Sequence, residues 1–222
     1  MLETEAGDRL KGPLSQEDAA HYGESHINIM KKIVNPCPSE INKCLRKRDA
    51  FKNYTLQEKS LNKLFLKLCP QNRKIEDILL KVSTLNDFYS TNIYDTYSVA
   101  ENILGNNIDK PLDAGNLEIV NKIARVSIKG KTINFYSFAT KYCSHHRPKI
   151  YPIYDSYVDK MLWHYRKRDE FSCFQRQSLK EYPAFIEVIH QFRRFYRLNK
   201  FTLRDIDNFL WMTGKKYFPN RY

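Results

Sequence analysis

The sequence predicts an all-α protein with two helical lobes. Three observations carry this: apolar residues recur at intervals of three and four through most of the chain, no segment alternates convincingly with a period of two, and prolines or glycines close several of the apolar runs. With 222 residues, 42% of them hydrophobic, the chain can bury one substantial core or two small ones.

In chain order, residues 1 to about 25 are polar, contain Gly7, Gly12 and Pro13, and read as an N-terminal arm. Helical spacing begins with Ile27, Met30, Ile33 and Val34, continues through Ile41 and Leu45, and then through Leu61, Leu64, Phe65 and Leu68 up to Pro70. Ile75, Ile78, Leu79 and Val82 mark the next helix. Tyr94, Tyr97, Val99, Ile103 and Leu104 mark another, ended by Gly105, Asn106 and Asn107. Leu117, Ile119, Val120 and Ile123 give a short helix, and Thr132 to Cys143 reads as a buried one carrying Ile133, Phe135, Tyr136, Phe138 and Ala139. Pro148 and Pro152 forbid its continuation, so His145 and His146 are expected in a loop.

A helix from Ser156 to about Tyr165 follows, then a charged connector, then a long amphipathic helix from Tyr182 to Tyr196. Thr202 with Asp205 three residues later is the pattern of a capping box for a last helix, Leu203 to Met212, closed by Gly214. The expected lobes are a central one from 71 to 147 and a second built from 26–70 and 148–222.

The 37 Lys and Arg against 25 Asp and Glu leave a net charge of +12, which calls for a polyanionic partner, most simply nucleic acid. No run approaches the roughly 18 apolar residues of a membrane span, and the acidic start is no signal peptide, so a soluble cytoplasmic protein is expected. Cys37, Cys44, Cys69, Cys143 and Cys173 are odd in number and never spaced C-x-x-C, so neither disulfides nor a metal site is expected.

The informative segment runs from Ile128 to Leu162, where a basic glycine turn (Ile128-Lys129-Gly130-Lys131) precedes a buried helix, a proline loop and an aspartate opening another helix (Tyr151-Pro152-Ile153-Tyr154-Asp155-Ser156-Tyr157-Val158). This order resembles the helix-hairpin-helix DNA glycosylases, and the resemblance extends upstream to Ile78–Leu104, covering about residues 75 to 165. It implies a helix-hairpin-helix motif, a DNA cleft between the lobes, double-stranded DNA as partner, no cofactor and no obligate protein partner. Lys129, Gly130 and Lys131 would contact a DNA phosphate, Asp155 would be the catalytic carboxylate, and Lys131 a nucleophile only if the enzyme also cleaves the strand. Phe88, Tyr89, Asn92 and Tyr154 would line the base pocket or fill the vacated stack. The hairpin has one glycine where the family usually has two or three, and the interval from Lys131 to Asp155 is longer than usual.

The residues make their own case for Asp155. A carboxylate at a helix N-terminus among Ile153, Tyr154, Tyr157 and Val158 is kept ionised by the helix dipole, and it suits a transition state that builds positive charge on a sugar. The plainer role is an N-cap. The reading favoured is a monofunctional base-excising glycosylase rather than one with lyase activity, in repair or in defence against phage with modified bases; the alternative is a non-catalytic helical nucleic-acid-binding module.

Overall fold

In the computed structural model, which describes residues 33–219, ten α-helices carry most of the chain. The polar arm and the expected turns at Ile27 and Met30 lie outside the described residues. Residues 35–219 cluster as one unit.

Helix α1 (Pro38–Ala50) starts with proline at its first position, where the missing N–H costs nothing. Helix α2 (Lys52–Lys63) runs into a π turn, Leu64–Leu68, that lays Leu64 and Phe65 into the core. Helix α3 (Ile75–Tyr89) buries Ile78, Val82 and Leu85 and stops where Ser90 turns left-handed. Three shorter helices follow: α4 (Thr96–Gly105), α5 (Asp109–Asp113) and α6 (Glu118–Ala124).

Here the structure departs from the helical expectation. Strands β1 (Arg125–Ile128) and β2 (Lys131–Asn134) pair antiparallel, Arg125 opposite Asn134 and Ile128 opposite Lys131, and form the sheet found among the described residues. Lys129 and Gly130 both have positive φ (49° and 74°), which makes them the central residues of a primed two-residue hairpin turn. The glycine turn that the resemblance places between two helices is therefore the tip of a β-hairpin. The β-branched Val126, Ile128, Thr132 and Ile133 favour it, and the signal was the alternation V-S-I around a Lys-Gly pair. The helix expected from Thr132 starts four residues later.

That helix, α7 (Tyr136–His146), is the centre of the fold: every residue from Phe138 through His146 is buried. His145 and His146 thus close a buried helix rather than lie in a loop. The following strap, Tyr151 to Asp155, leads into α8 (Ser156–Asp169), which absorbs most of the charged connector, and a 3₁₀ turn, Arg176–Lys180, precedes α9 (Tyr182–Phe195). Helix α10 (Leu203–Tyr217) opens with the anticipated capping box: Asp205 N–H donates to Thr202 Oγ1 and the aspartate accepts from Thr202 N–H. It continues past Gly214 to Tyr217. The glycine serves close packing: a Cβ there would lie 2.8 Å from Tyr157 Cβ and 3.2 Å from Met161 Cγ, so α8 and α10 touch backbone to side chain.

No helix among the described residues is long and apolar enough to cross a membrane.

Candidate functional site

The strap before α8 is held from three directions. Tyr182 Oη donates to Pro152 O at 2.8 Å, Ile153 N–H donates to Asp207 Oδ2 at 2.9 Å, and Tyr154 is fastened to α7 through its N–H to Thr140 Oγ1 (3.2 Å) and its carbonyl from Ser137 Oγ (3.1 Å). A segment with its backbone groups so occupied is fixed, and what it fixes is Asp155.

Asp155 caps α8. Its Oδ1 accepts from the N–H groups of Tyr157 and Val158, both at 2.9 Å, and among the described residues Oδ2 makes no hydrogen bond. Burial raises its pKa, while Lys141, the two N–H groups and Arg204 pull it down. The helix N-terminus thus anchors one oxygen of the carboxylate.

Lys141, on α7, is the neighbouring cation. It is 5% exposed, its Nζ lies 5.3 Å from the centroid of the Tyr89 ring, and it donates to Ser137 Oγ. Burial brings its pKa down to about 8, and the charge of Asp155 resists that fall. An amine so placed is partly neutral in mildly alkaline solution, which an exposed lysine is not.

Behind this pair lies a largely buried polar network from four helices. Arg204 donates to Glu58 Oε1 (3.2 Å) and to Tyr89 Oη (3.4 Å) and lies 3.5 Å from Asp207 Oδ1; Tyr89 Oη is 3.0 Å from His145 Nε2. Burial pushes Asp207 up to about 7 against the attraction of Arg204, and burial, with Arg204 adding to it, brings His145 down to about 3. The imidazole is neutral at pH 7, and Tyr89, bonded to His145 and Arg204, lies over Lys141.

Of the residues singled out from sequence, Asp155 and Tyr89 come together here, bridged by Lys141. Tyr154 is part of the strap, but its ring turns into the core between Tyr136 and Phe185 (4.9 and 5.5 Å between centroids) and its hydroxyl donates to Asp159 Oδ2 at 3.0 Å. Phe88 is half-buried near the end of α3, and Asn92 is exposed in the left-handed region (φ 57°) of the loop that follows. Lys129, Gly130 and Lys131 are exposed at the hairpin tip, with Lys129 near Asp95. Lys141, Glu58, Arg204 and Asp207 went unread, and His145 was read as a loop residue rather than as part of this cluster. Lys141 had a signal, a lone cation inside an otherwise aromatic and small-residue helix; Arg204 and Asp207 are hidden in the ordinary polar pattern of an amphipathic helix.

Among the described residues no group of three or more His, Cys, Asp or Glu side chains is arranged to hold a metal ion. The five cysteines are free thiols.

The family model HI_0787_N, which describes an N-terminal domain, matches residues 40–150, half of the chain. The match runs from within α1 through α7, with Tyr89, Lys141 and His145, and stops short of Asp155. A protein of Haemophilus influenzae (strain Rd) bearing the description "Uncharacterized protein" is 47% identical over 146 residues, which cover 65% of this chain and 70% of that protein. No solved structure matches the chain. With half of its length covered by the family model and a close relative matched over more than two thirds, the chain belongs to the HI_0787_N family.

Proposed function

We propose that this protein is a DNA glycosylase, which flips a damaged or modified base from duplex DNA and hydrolyses its N-glycosidic bond to leave an abasic site. The observation that carries the reading is the carboxylate of Asp155, locked through one oxygen to the start of α8 and set beside a buried lysine. Cleavage of an N-glycosidic bond builds positive charge on the sugar. A fixed carboxylate stabilises that charge and aligns a water for attack at the anomeric carbon.

The cationic character of the surrounding segment supports a DNA partner. Between Glu118 and Asp155 the sequence carries Lys122, Arg125, Lys129, Lys131, Lys141, Arg147 and Lys149 and no carboxylate. In this reading α6, the β-hairpin and α7 take the place of a helix-hairpin-helix element, the turn at Lys129–Lys131 meets a phosphate, the duplex lies in a cleft over Asp155, and the protein works in the cytoplasm. Lys131 is exposed on the hairpin, which favours the monofunctional reaction over one in which that lysine is the nucleophile. Lys141 supports a second route: its amine, beside Asp155 with a pKa brought down by burial to about 8, suits attack on the sugar and strand cleavage through a Schiff base.

The test is incubation of the protein with duplexes carrying damaged, mismatched and phage-type modified bases, followed by detection of abasic sites with and without alkali. Abasic product that is lost in Asp155→Asn, with DNA binding retained, is the expected result. Strand breaks before alkali, together with a borohydride-trapped adduct lost in Lys141→Gln and kept in Lys131→Gln, select the lyase route. Salt-sensitive binding without product on any duplex would overturn the enzyme reading in favour of a non-catalytic binding module.

A further inference from the structure

A cavity of about 350 Å³ opens beside the first turn of α8, lined by Tyr154, Ser156, Asp159 and Lys160 and, from the 3₁₀ turn, by Arg176 and Lys180. It is separate in composition from the Asp155–Lys141 cluster, although the same helix start serves both. Its floor is built. Asp159, 6% exposed, accepts from Arg176 Nε at 2.6 Å, holds Arg176 Nη2 at 2.5 Å, and takes the Tyr154 hydroxyl on its other oxygen at 3.0 Å.

This pairing fixes the guanidinium plane and uses only part of its five N–H donors. Asp159 is the one carboxylate in the lining and is balanced by Arg176, so Lys160 and Lys180 leave the cavity with two uncompensated positive charges. A pre-set guanidinium with flanking ammoniums is an arrangement for a tetrahedral oxyanion of high charge. Purely structural ion pairs do not require the two lysines.

We propose that this cavity is a phosphate-binding subsite. The source of the phosphate, on the glycosylase reading on which this part rests, is the backbone of the strand whose sugar is presented to Asp155, because Ser156 in the lining directly follows that residue.

The test uses the full chain in two arms. Inorganic phosphate is titrated by calorimetry, and a duplex with an uncleavable abasic analogue is titrated by fluorescence anisotropy at several salt concentrations. The variants are Lys160→Gln/Lys180→Gln, which leaves the Asp159–Arg176 pair intact, Arg176→Gln, and the charge-matched control Lys215→Gln/Lys216→Gln. The expected result is at least about tenfold weaker binding in both arms for the cavity variants, a salt slope lower by about 1, and a smaller effect of the control. Weakening confined to the phosphate arm keeps the subsite and assigns it a free phosphate ligand; weakening confined to the duplex assigns it to the strand. Cavity variants that match the control in both arms, with unchanged melting temperature, overturn the proposal. Neither arm requires base excision, so a failed glycosylase assay leaves the result readable.

Discussion

Gly214 and Tyr157 meet where α10 crosses α8, so closely that a Cβ on the glycine would stand 2.9 Å from the tyrosine's carbonyl oxygen. Tyr157 N–H is also one of the two donors that hold Asp155. Gly214→Ala must push the helices apart at this point. The expected cost is about 1–3 kcal/mol in urea unfolding, as for other over-packed contacts, together with a loss of whatever activity depends on Asp155. A variant as stable as the parent would mean that this contact yields without strain.

Lys141→Met should remove a dependence of stability on pH between 8 and 10.5. The folded state lowers the pKa of this lysine from 10.5 to about 8, so the folded protein binds fewer protons than the unfolded chain between those values, and the stability of the parent rises with pH across that window. The methionine variant lacks this dependence. The stability difference between the two should move in the parent's favour by up to about 3 kcal/mol as pH rises from 8 to 10.5, as read from melting temperatures across the range. On the proposed lyase route the same variant should also lose strand cleavage.

Acid should unfold the protein through its buried histidines. Burial lowers His145 to about 3 and His146 well below its ordinary value. A histidine with a depressed folded pKa contributes stability that is complete above its unfolded pKa near 6.5 and is lost as pH falls toward the folded one. Each histidine therefore adds a slope of up to about 1.4 kcal/mol per pH unit below 6.5. Urea unfolding at pH 7, 6, 5 and 4 should show the decline, and His146→Gln should make it shallower.

The hairpin turn can be tested from both sides. Lys129 and Gly130 have positive φ, and nothing lies within 4 Å of a Cβ built on Gly130, so backbone conformation alone governs substitution there. Gly130→Ala should cost about 1 kcal/mol, whereas Lys129→Asn should gain a few tenths, since asparagine tolerates the left-handed region better than lysine. Thermal melts of the two variants check the opposite signs.

The local elements were legible in the sequence wherever one face of a helix is buried. The run Ile75 to Val82, the long helix from Tyr182 and the capping box at Thr202 all appear as expected. The hairpin was missed, because a four-residue strand shows only two repeats of the alternation that reveals it and the exposed β2 carries no buried face. His145 and His146 were misplaced because two polar residues before a proline look like a loop, while here burial of α7 on all sides draws them into the core.

By itself the sequence determined the helical character, the positive charge and the position of Asp155 at a helix start, since each depends on residues within a few positions of one another. Only the tertiary structure decided that Lys141 stands beside Asp155, and that Arg204 joins Glu58 and Asp207 to Tyr89 and His145. Apart from Arg204 and Asp207, which share α10, these partners lie 14 to 146 residues apart in the chain, and their charges acquire meaning only when packing removes them from water and leaves each the other's nearest countercharge or hydrogen-bond partner.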